Sequence, residues 1–305
     1  MPNSRWPELP YEAWAGTRET FHLWLQVIGK VKLALTPFLN EWWNVGLALT
    51  ARGLTTGPMP AGPVELQIDV DVLDDQVRLV TSRGDVRVVE LRPRSVADFH
   101  AAVVAALLDL GVDVHLSSLP AEVPDPVRFD RDTVHAAYDR VAVQRWWRAA
   151  LSVARVIERY RTPFGGKSSP VLLYWGGFDL SHTRFNGRRA PARAGADPIV
   201  GFGEDQENVA IGFWPGDARS PHAVLYAYLT PAPPGVETAT VGPPAARWVA
   251  ELGEFVLPWE ELVAQPDPDA TALEFFTGVY RAAADLAGWD RRALELPALP
   301  RTAVA

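Results

Sequence analysis

The chain has 305 residues, enough to bury a substantial apolar core without disulfides or a structural metal. Its formal net charge of −8 is opposite to the basic balance of general nucleic-acid binders, so no nucleic-acid partner is expected. Cysteine is absent, which excludes disulfides and thiolate chemistry and fits a cytoplasmic location. The sequence shows neither a signal-peptide pattern nor an apolar run long enough to span a bilayer, so no membrane partner is expected.

The first half of the chain predicts a helix, a β-meander and a second helix. Apolar residues at three- and four-residue steps predict the first helix over residues 14–35, which a Thr-Pro pair ends. The spacing of Ser95 and Asp98 is that of a capping box and predicts a second helix over residues 95–110. Residues 112–116 are interpreted as one more strand. Alternating segments between Gly, Pro and Asp breakers predict antiparallel strands over residues 43–50, 64–70, 76–81 and 86–91.

The second half repeats this order. A helix is predicted over residues 139–161, and it closes at Thr-Pro-Phe as the first helix does. A last helix is predicted over residues 269–287, and its apolar positions align with those of the helix at 95–110 at a constant offset. We infer an internal duplication; the alternative is that amphipathic helices resemble each other by chance. Strands are predicted over residues 171–175, 180–185, 209–214, 224–230, 246–250 and 254–257, with insertions at 187–204 and 231–244.

These elements predict an α+β fold of two antiparallel β-meanders flanked by helices and related by the duplication. One continuous domain is expected to cover residues 1–305. Within it, the predicted parts are a first half-repeat at 12–117, a linker at 118–132, a second half-repeat at 133–290 and a C-terminal tail at 291–305.

Several motifs resemble those of a bacterial family of unknown function, and the resemblance covers nearly the whole chain. It implies a bacterial origin and one continuous family domain, and it carries no assigned activity. The motifs are Trp14-x-x-Thr17-x-x-Thr20-Phe21-His22-x-Trp24-x-Gln26-x-x-Gly29-Lys30, Trp175-Gly176-x-Phe178-Asp179-Leu180 and Gly212-Phe213-Trp214-Pro215-Gly216.

The first helix carries a polar stripe. His22, Gln26 and Lys30 follow one another at four-residue steps, so they share one face of an otherwise apolar helix. A buried stripe of polar groups must be satisfied by another element or by a ligand. The stripe is therefore interpreted either as a solvated face or as the polar wall of a pocket.

The segment around residues 175–185 is the richest in polar chemistry in the second half. With the period of a strand, His182 and Arg184 share one face, and an acid such as Glu207 would complete a set able to act on an anionic substrate. The alternative is a solvated sheet face with one ion pair. The candidate catalytic residues are His22, Lys30, His182, Arg184 and Glu207, and the candidate ligand-binding residues are Gln26, Trp42, Trp43, Lys167, Trp175, Asp179 and Trp214.

Common cofactor signatures are absent. Gly166 and Lys167 resemble the end of a phosphate-binding loop, but a helix precedes them and a strand follows, which is the reverse of that motif. The six histidines show no paired ligand spacing, so no metal is expected, and no cofactor is identified. The sequence therefore predicts that the chain, as a monomer or homodimer, binds a small polar or anionic molecule in an aromatic-lined pocket between the halves. Two possibilities stay open: an enzyme of unassigned reaction, or a non-catalytic ligand-binding, scaffold or oligomerising protein.

Overall fold

The computed structural model describes residues 5–191, 195 and 198–297. The described residues form two compact units, each assembled from separate stretches of chain. The first unit takes in Met1–Ala149, Leu172–Asp179 and Pro215–His222, and the second takes in Ala150–Val171, Leu180–Trp214 and Ala223–Ala305, each as far as it is described. The half-repeats, the linker and the tail stay predictions, and parts of the predicted 187–204 insertion and of the tail lie outside the described residues.

The first sheet is an antiparallel meander whose strands lie in chain order. In β3, Leu66, Ile68 and Val70 are buried while Glu65 is exposed, the period-two pattern of a half-buried strand. The strands are β1 Ala48–Thr50, β2 Gly53–Ala61, β3 Val64–Asp71, β4 Gln76–Thr81 and β5 Val86–Glu90.

Strand β2 is absent from the sequence prediction because its Gly and Pro residues are typical strand breakers. The first part of β2 pairs with both β1 and β3, whereas Pro58 and Pro60 pair with β3 alone. Their missing N–H groups therefore remove no hydrogen bond from a central ladder. A register shift separates Thr55 from Pro58, with Gly57 at φ 67° between them.

The helices of the first half match the sequence prediction closely. Helix α1 spans Ala15–Leu35, and α2 spans Val96–Asp109 with Ser95 accepting a hydrogen bond from the Asp98 amide at 3.0 Å. The strand predicted over residues 112–116 is wrong, because this stretch is irregular. Its first residue, Val112, is buried and donates its amide to Leu107 at 2.9 Å, so it closes the end of α2 instead of pairing in a sheet.

The second sheet has the strand order β10-β11-β9-β8-β7-β6. The described chain thus contains two antiparallel sheets with helices, which confirms the α+β class; the internal duplication stays a prediction. The strands are β6 Leu172–Tyr174, β7 Asp179–Arg189, β8 Gln206–Trp214, β9 Val224–Thr230, β10 Arg247–Val249 and β11 Glu254–Pro258. The helices are α3 Arg140–Arg161, α4 Pro198–Gly203, α5 Trp259–Val263, α6 Pro268–Leu286 and α7 Arg291–Leu294.

Candidate functional site

The polar stripe of α1 is longer than the sequence prediction and is largely buried. Arg18 lies four residues before His22, so the stripe runs Arg18, His22, Gln26 and Lys30. The first three are 6%, 5% and 0% exposed, and Lys30 is half-buried. The interpretation of the stripe as a solvated face is therefore wrong. Its buried groups need partners, and these partners define the candidate site of the first unit.

Gln26 is satisfied by the main chain of Ala121, a residue of the predicted linker. The side-chain Oε1 accepts from the Ala121 amide at 2.8 Å, and Nε2 donates to the Ala121 carbonyl at 2.9 Å. These two bonds fix the orientation of the Gln26 amide, with its nitrogen 3.0 Å from His22 Nε2. Gln26 thus anchors Ala121, within the 118–132 segment, to α1.

His22 is held as a neutral imidazole by groups on both sides of its ring. Its Nε2 lies 2.9 Å from the carbonyl oxygens of Trp175 and Gly176, so we assign the proton to Nε2, which donates to them. The unprotonated Nδ1 then faces Arg18 Nη1 at 3.4 Å and accepts from it. Burial, followed by the Arg18 charge, lowers the pKa of His22 to about 3. The imidazole is therefore uncharged at neutral pH.

The segment from Trp175 to Asp179 packs against the stripe. Phe178, fully buried at φ 63°, stacks on His22 with ring centroids 5.1 Å apart and on Trp146 at 4.9 Å. The Trp175 indole donates to the Val45 carbonyl at 3.0 Å and lies so close to Gly29 that a Cβ there would be 2.3 Å from the ring. This close approach explains why α1 carries a glycine next to Lys30.

Arg18 is a buried cation with one vacant hydrogen-bonding edge. Its Cζ lies 5.2 Å from the centroid of the Phe178 ring, and Nη1 donates to His22. Nε is buried and has no hydrogen-bond partner, and no described residue accepts from Nη2 or forms an ion pair with this guanidinium. Nε and Nη2 form the side of the guanidinium opposite Nη1, where two N–H groups point in parallel. Burial lowers the pKa of Arg18, as expected for a charge removed from water.

Lys30 lies at the other end of the stripe. Its Nζ is 5.5 Å from the centroid of the Trp175 ring, and burial lowers its pKa while the nearby Glu122 carboxylate opposes that shift. Twelve residues of helix separate Lys30 from Arg18, a rise of about 18 Å. A small ligand held by Arg18 would therefore not reach Lys30.

The second unit contains another pair of buried polar residues. His182 and Arg184 are 0% and 2% exposed and lie on one face of β7, where both contact Tyr160. This confirms that they share a face, as the period of the strand predicted. His182 Nδ1 donates to the Ser169 carbonyl at 2.8 Å, and its buried Nε2 has no hydrogen-bond partner within the described residues. Burial, with Arg161 and Arg184 next, lowers the pKa of His182 to about 3.

Arg184 is enclosed by aromatic rings. Its Cζ lies 3.4 Å from the ring centroid of Tyr160, 4.3 Å from that of Tyr280 and 4.7 Å from that of Phe164. Nη2 also donates to the Tyr160 carbonyl, whereas Nε is buried without a partner. The three ring faces and the carbonyl compensate part of the cost of burying the charge. The cage indicates a packing role for Arg184.

The other predicted site residues divide between the two units. Glu207 pairs with Arg188 at 2.6 Å and accepts from Asn186 at 2.6 Å. The predicted alternative of a solvated sheet face is wrong for His182 and Arg184, because both are buried. Lys167 Nζ lies 4.5 Å from the Phe185 ring centroid. Trp42, Trp43, Asp179 and Trp214 are half-buried; the first three belong to the first unit and Trp214 to the second.

The structure thus brings together one group in each unit. His22, Gln26, Lys30 and Trp175 belong to the group in the first unit, and His182 and Arg184 to that in the second. Convergence of the two groups on one ligand stays a prediction. The sequence prediction missed Arg18 and Glu122; the four-residue spacing of the stripe already pointed to Arg18.

The described residues show two further features that bear on function. They contain no group of three or more His, Asp or Glu side chains arranged to hold a metal ion. None of their helices combines the length and the apolar character needed to cross a membrane.

Comparison with known proteins identifies a family without assigning a function. A search of curated proteins found no match. A search of solved structures found none either. The sequence profile of one family matches residues 6–296, which is nearly the whole chain and includes both groups of buried polar residues. The chain therefore belongs to the family of unknown function DUF5996.

Proposed function

We propose that the first unit binds a small anionic molecule at the vacant Nε–Nη2 edge of Arg18. The observation that supports this is a buried guanidinium, 6% exposed, with no carboxylate partner among the described residues. Burying an unpaired charge is costly, so such groups in proteins are normally paired. An anionic ligand would supply the missing partner.

The surroundings of Arg18 support binding because they hold the guanidinium in place. His22 accepts from Nη1, and His22 is itself anchored by the Trp175 and Gly176 carbonyls and stacked on Phe178. A donor group held in one orientation before binding loses less entropy when the ligand arrives. In this proposal His22 is a positioning residue.

Binding is favoured over acid–base catalysis by the two buried histidines. His22 and His182 have pKa values lowered to about 3, and the N–H group of each is engaged by a main-chain carbonyl. An efficient general base has a pKa near the working pH. Neither imidazole meets this condition, so we propose a binding protein in which both have structural roles.

A thermal-shift experiment tests the proposal. Wild type, Arg18→Met and Arg128→Gln are melted with formate, acetate, pyruvate, phosphate or sulfate at constant ionic strength. Arg128 is a matched control because it is half-exposed and already pairs its Nε and Nη2 with Asp130 at 3.0 and 3.1 Å. An anion at ten times its Kd should raise the Tm of wild type and R128Q by about 2 °C and leave R18M unchanged. Equal responses of wild type and R18M to every anion would refute it.

The alternative function is that of a scaffold or oligomerising protein. It is favoured by exposed apolar residues near the end of α1, where Leu33 is 36%, Phe38 50% and Leu39 50% exposed. Light scattering coupled to gel filtration distinguishes the two. A dimer that Phe38→Ser converts to a monomer would favour the alternative, and a monomer at all concentrations would exclude it for copies of this chain.

We further propose a cytoplasmic location in a bacterium. The absence of cysteine and the motif resemblance support this. Fractionation of a bacterium that expresses the chain from its own gene tests the location.

A further inference from the structure

The charges around Arg18 narrow the chemical class of the ligand. Asp217 and Glu19 raise the pKa of Arg18, and Arg219 lowers it, so these three groups lie within electrostatic reach of the guanidinium. Asp217 is held by Arg219 at 2.7 Å, and Glu19 accepts from the Tyr11 hydroxyl at 3.2 Å. The formal charges of these four groups, Arg18 and Arg219 against Asp217 and Glu19, cancel.

This balance limits the charge that a ligand can bring. A single negative charge at Arg18 gains a hydrogen-bonded partner, whereas Asp217 and Glu19, which act on the guanidinium only electrostatically, repel it. A second negative charge on the same ligand would meet that repulsion too, and Arg219, the other cation named here, is already paired with Asp217. Repulsion between like charges selects strongly against the wrong partner. The neighbourhood thus favours a monoanion over a dianion.

The geometry of the Nε–Nη2 edge also favours a ligand with a single negative charge. Nε–H and Nη2–H are parallel donors, and they match the two oxygens of a planar carboxylate. In two other arginines of this chain, the Nε–Nη2 edge binds a carboxylate. Arg155 donates from Nε and Nη2 to Asp269 at 3.1 and 2.7 Å, and Arg128 does so to Asp130. Arg18 is the buried member of this set, and no acceptor for its edge occurs in the part of the chain that the structure describes.

We propose that the ligand of Arg18 is a monocarboxylate, bound through both oxygens to Nε and Nη2. This inference rests on the proposed function, because it names the class of anion that the same site takes. Inorganic phosphate, which is largely a dianion at neutral to mildly basic pH, is the discriminating competitor.

The test is an NMR titration of the arginine Nε–H resonances, with Arg18 assigned by its loss in Arg18→Met. Wild-type protein is titrated with acetate, propionate and inorganic phosphate at pH 7.5 and constant ionic strength. A carboxylate should shift the Arg18 Nε–H signal with a Kd at least about tenfold lower than that of phosphate. Arg18→Lys keeps the charge and removes the parallel donors, so its affinity for acetate, followed by thermal shift, should fall about tenfold.

The possible results distinguish a failure of the carboxylate inference from a failure of the proposed anion site. If neither acetate, propionate nor phosphate moves the Arg18 signal, both the anion site and the carboxylate inference fail. If phosphate binds as tightly as acetate or more tightly, the anion site stands and the carboxylate inference is wrong. An unchanged acetate affinity in R18K would also refute the inference, because binding would then need only a charge.

Discussion

The two units each bury an arginine beside a neutral histidine, and the arginines are treated differently. In the first unit, Arg18 contacts one ring face and one imidazole nitrogen, and its Nε–Nη2 edge has no acceptor among the described residues. In the second, Arg184 is enclosed by three rings, and its Nη2 donates to a carbonyl. Both guanidinium groups leave Nε without a partner in the described part of the chain, but Nη2 of Arg184 is engaged and three rings enclose it, whereas neither Nε nor Nη2 of Arg18 has an acceptor there.

This difference indicates how a buried arginine with a packing role can be distinguished from one that binds a ligand. Burial, a lowered pKa and a neighbouring histidine are common to both arginines, so these features do not distinguish them. The distinguishing feature is the set of hydrogen-bonding partners around each guanidinium. Substituting both arginines with methionine, which has similar length and no charge, turns this comparison into a measurement.

Among the single substitutions, the largest expected effect on the free energy of unfolding is that of Arg184→Met. It removes the cation–π contacts with Tyr160, Phe164 and Tyr280 and leaves the Tyr160 carbonyl without this donor. We expect the free energy of unfolding to fall by about 2–4 kcal/mol. Urea denaturation followed by circular dichroism measures it. A loss below about 1 kcal/mol would show that the rings pack equally well around an uncharged chain.

Acidification should lower the free energy of unfolding, because the pKa values of both buried histidines are lowered by burial. In the unfolded chain a histidine binds a proton below its ordinary pKa of 6.5, whereas folded His22 and His182 do so only near 3. The unfolded state therefore binds more protons between these values, and stability falls as the pH drops from 6.5 towards 3. The expected slope is about 1.4 kcal/mol per pH unit for each histidine.

Urea denaturation of wild type, His22→Gln and His182→Gln at several pH values from 8 to 4 measures this slope. Below pH 6.5, the free energy of unfolding of each variant should fall less steeply with pH than that of wild type, because one histidine no longer contributes. Above pH 6.5, the difference in free energy between each variant and wild type should be constant. A variant with the wild-type slope would mean that its histidine is already charged in the folded protein.

The packing of the first unit offers a test of how rigidly its site is built. A Cβ at Gly29 would lie 2.3 Å from three atoms of the Trp175 ring, so Gly29→Ala must displace an indole that also hydrogen-bonds Val45. We expect a loss of about 1–3 kcal/mol in the free energy of unfolding. Gly16→Ala in the same helix is the control, since its Cβ would meet Ala137 at an ordinary 3.4 Å and should stabilise α1 by up to about 1 kcal/mol. Equal effects would contradict this description of the Trp175 contact.

The sequence predicted local features of both regions and missed those that depend on distant contacts. Helical spacing placed His22, Gln26 and Lys30 on one face, and strand alternation placed His182 beside Arg184. The partners of the stripe were not predictable, because Gln26 bonds a residue 95 positions away and His22 bonds carbonyls more than 150 positions away. A main-chain partner cannot be recognised from the sequence, because carbonyl groups are common to all residue types. Arg18 fitted the spacing and was missed, because an arginine in the first turns of a helix is usually solvated.

The smallest expected effect is that of Arg18→Met on the protein without ligand. This substitution removes a buried charge with no carboxylate partner in the described ranges, which is often neutral or stabilising. It also removes the donor to His22 Nδ1, which costs about 1 kcal/mol. We therefore expect the free energy of unfolding to change by less than about 1 kcal/mol. The measurement is the same urea series used for R184M. A loss of more than about 2 kcal/mol would place Arg18 in the same structural class as Arg184 and remove the main support for an anion site. A near-zero change, together with the loss of anion-dependent stabilisation, would mean that the first unit buries its arginine for a ligand.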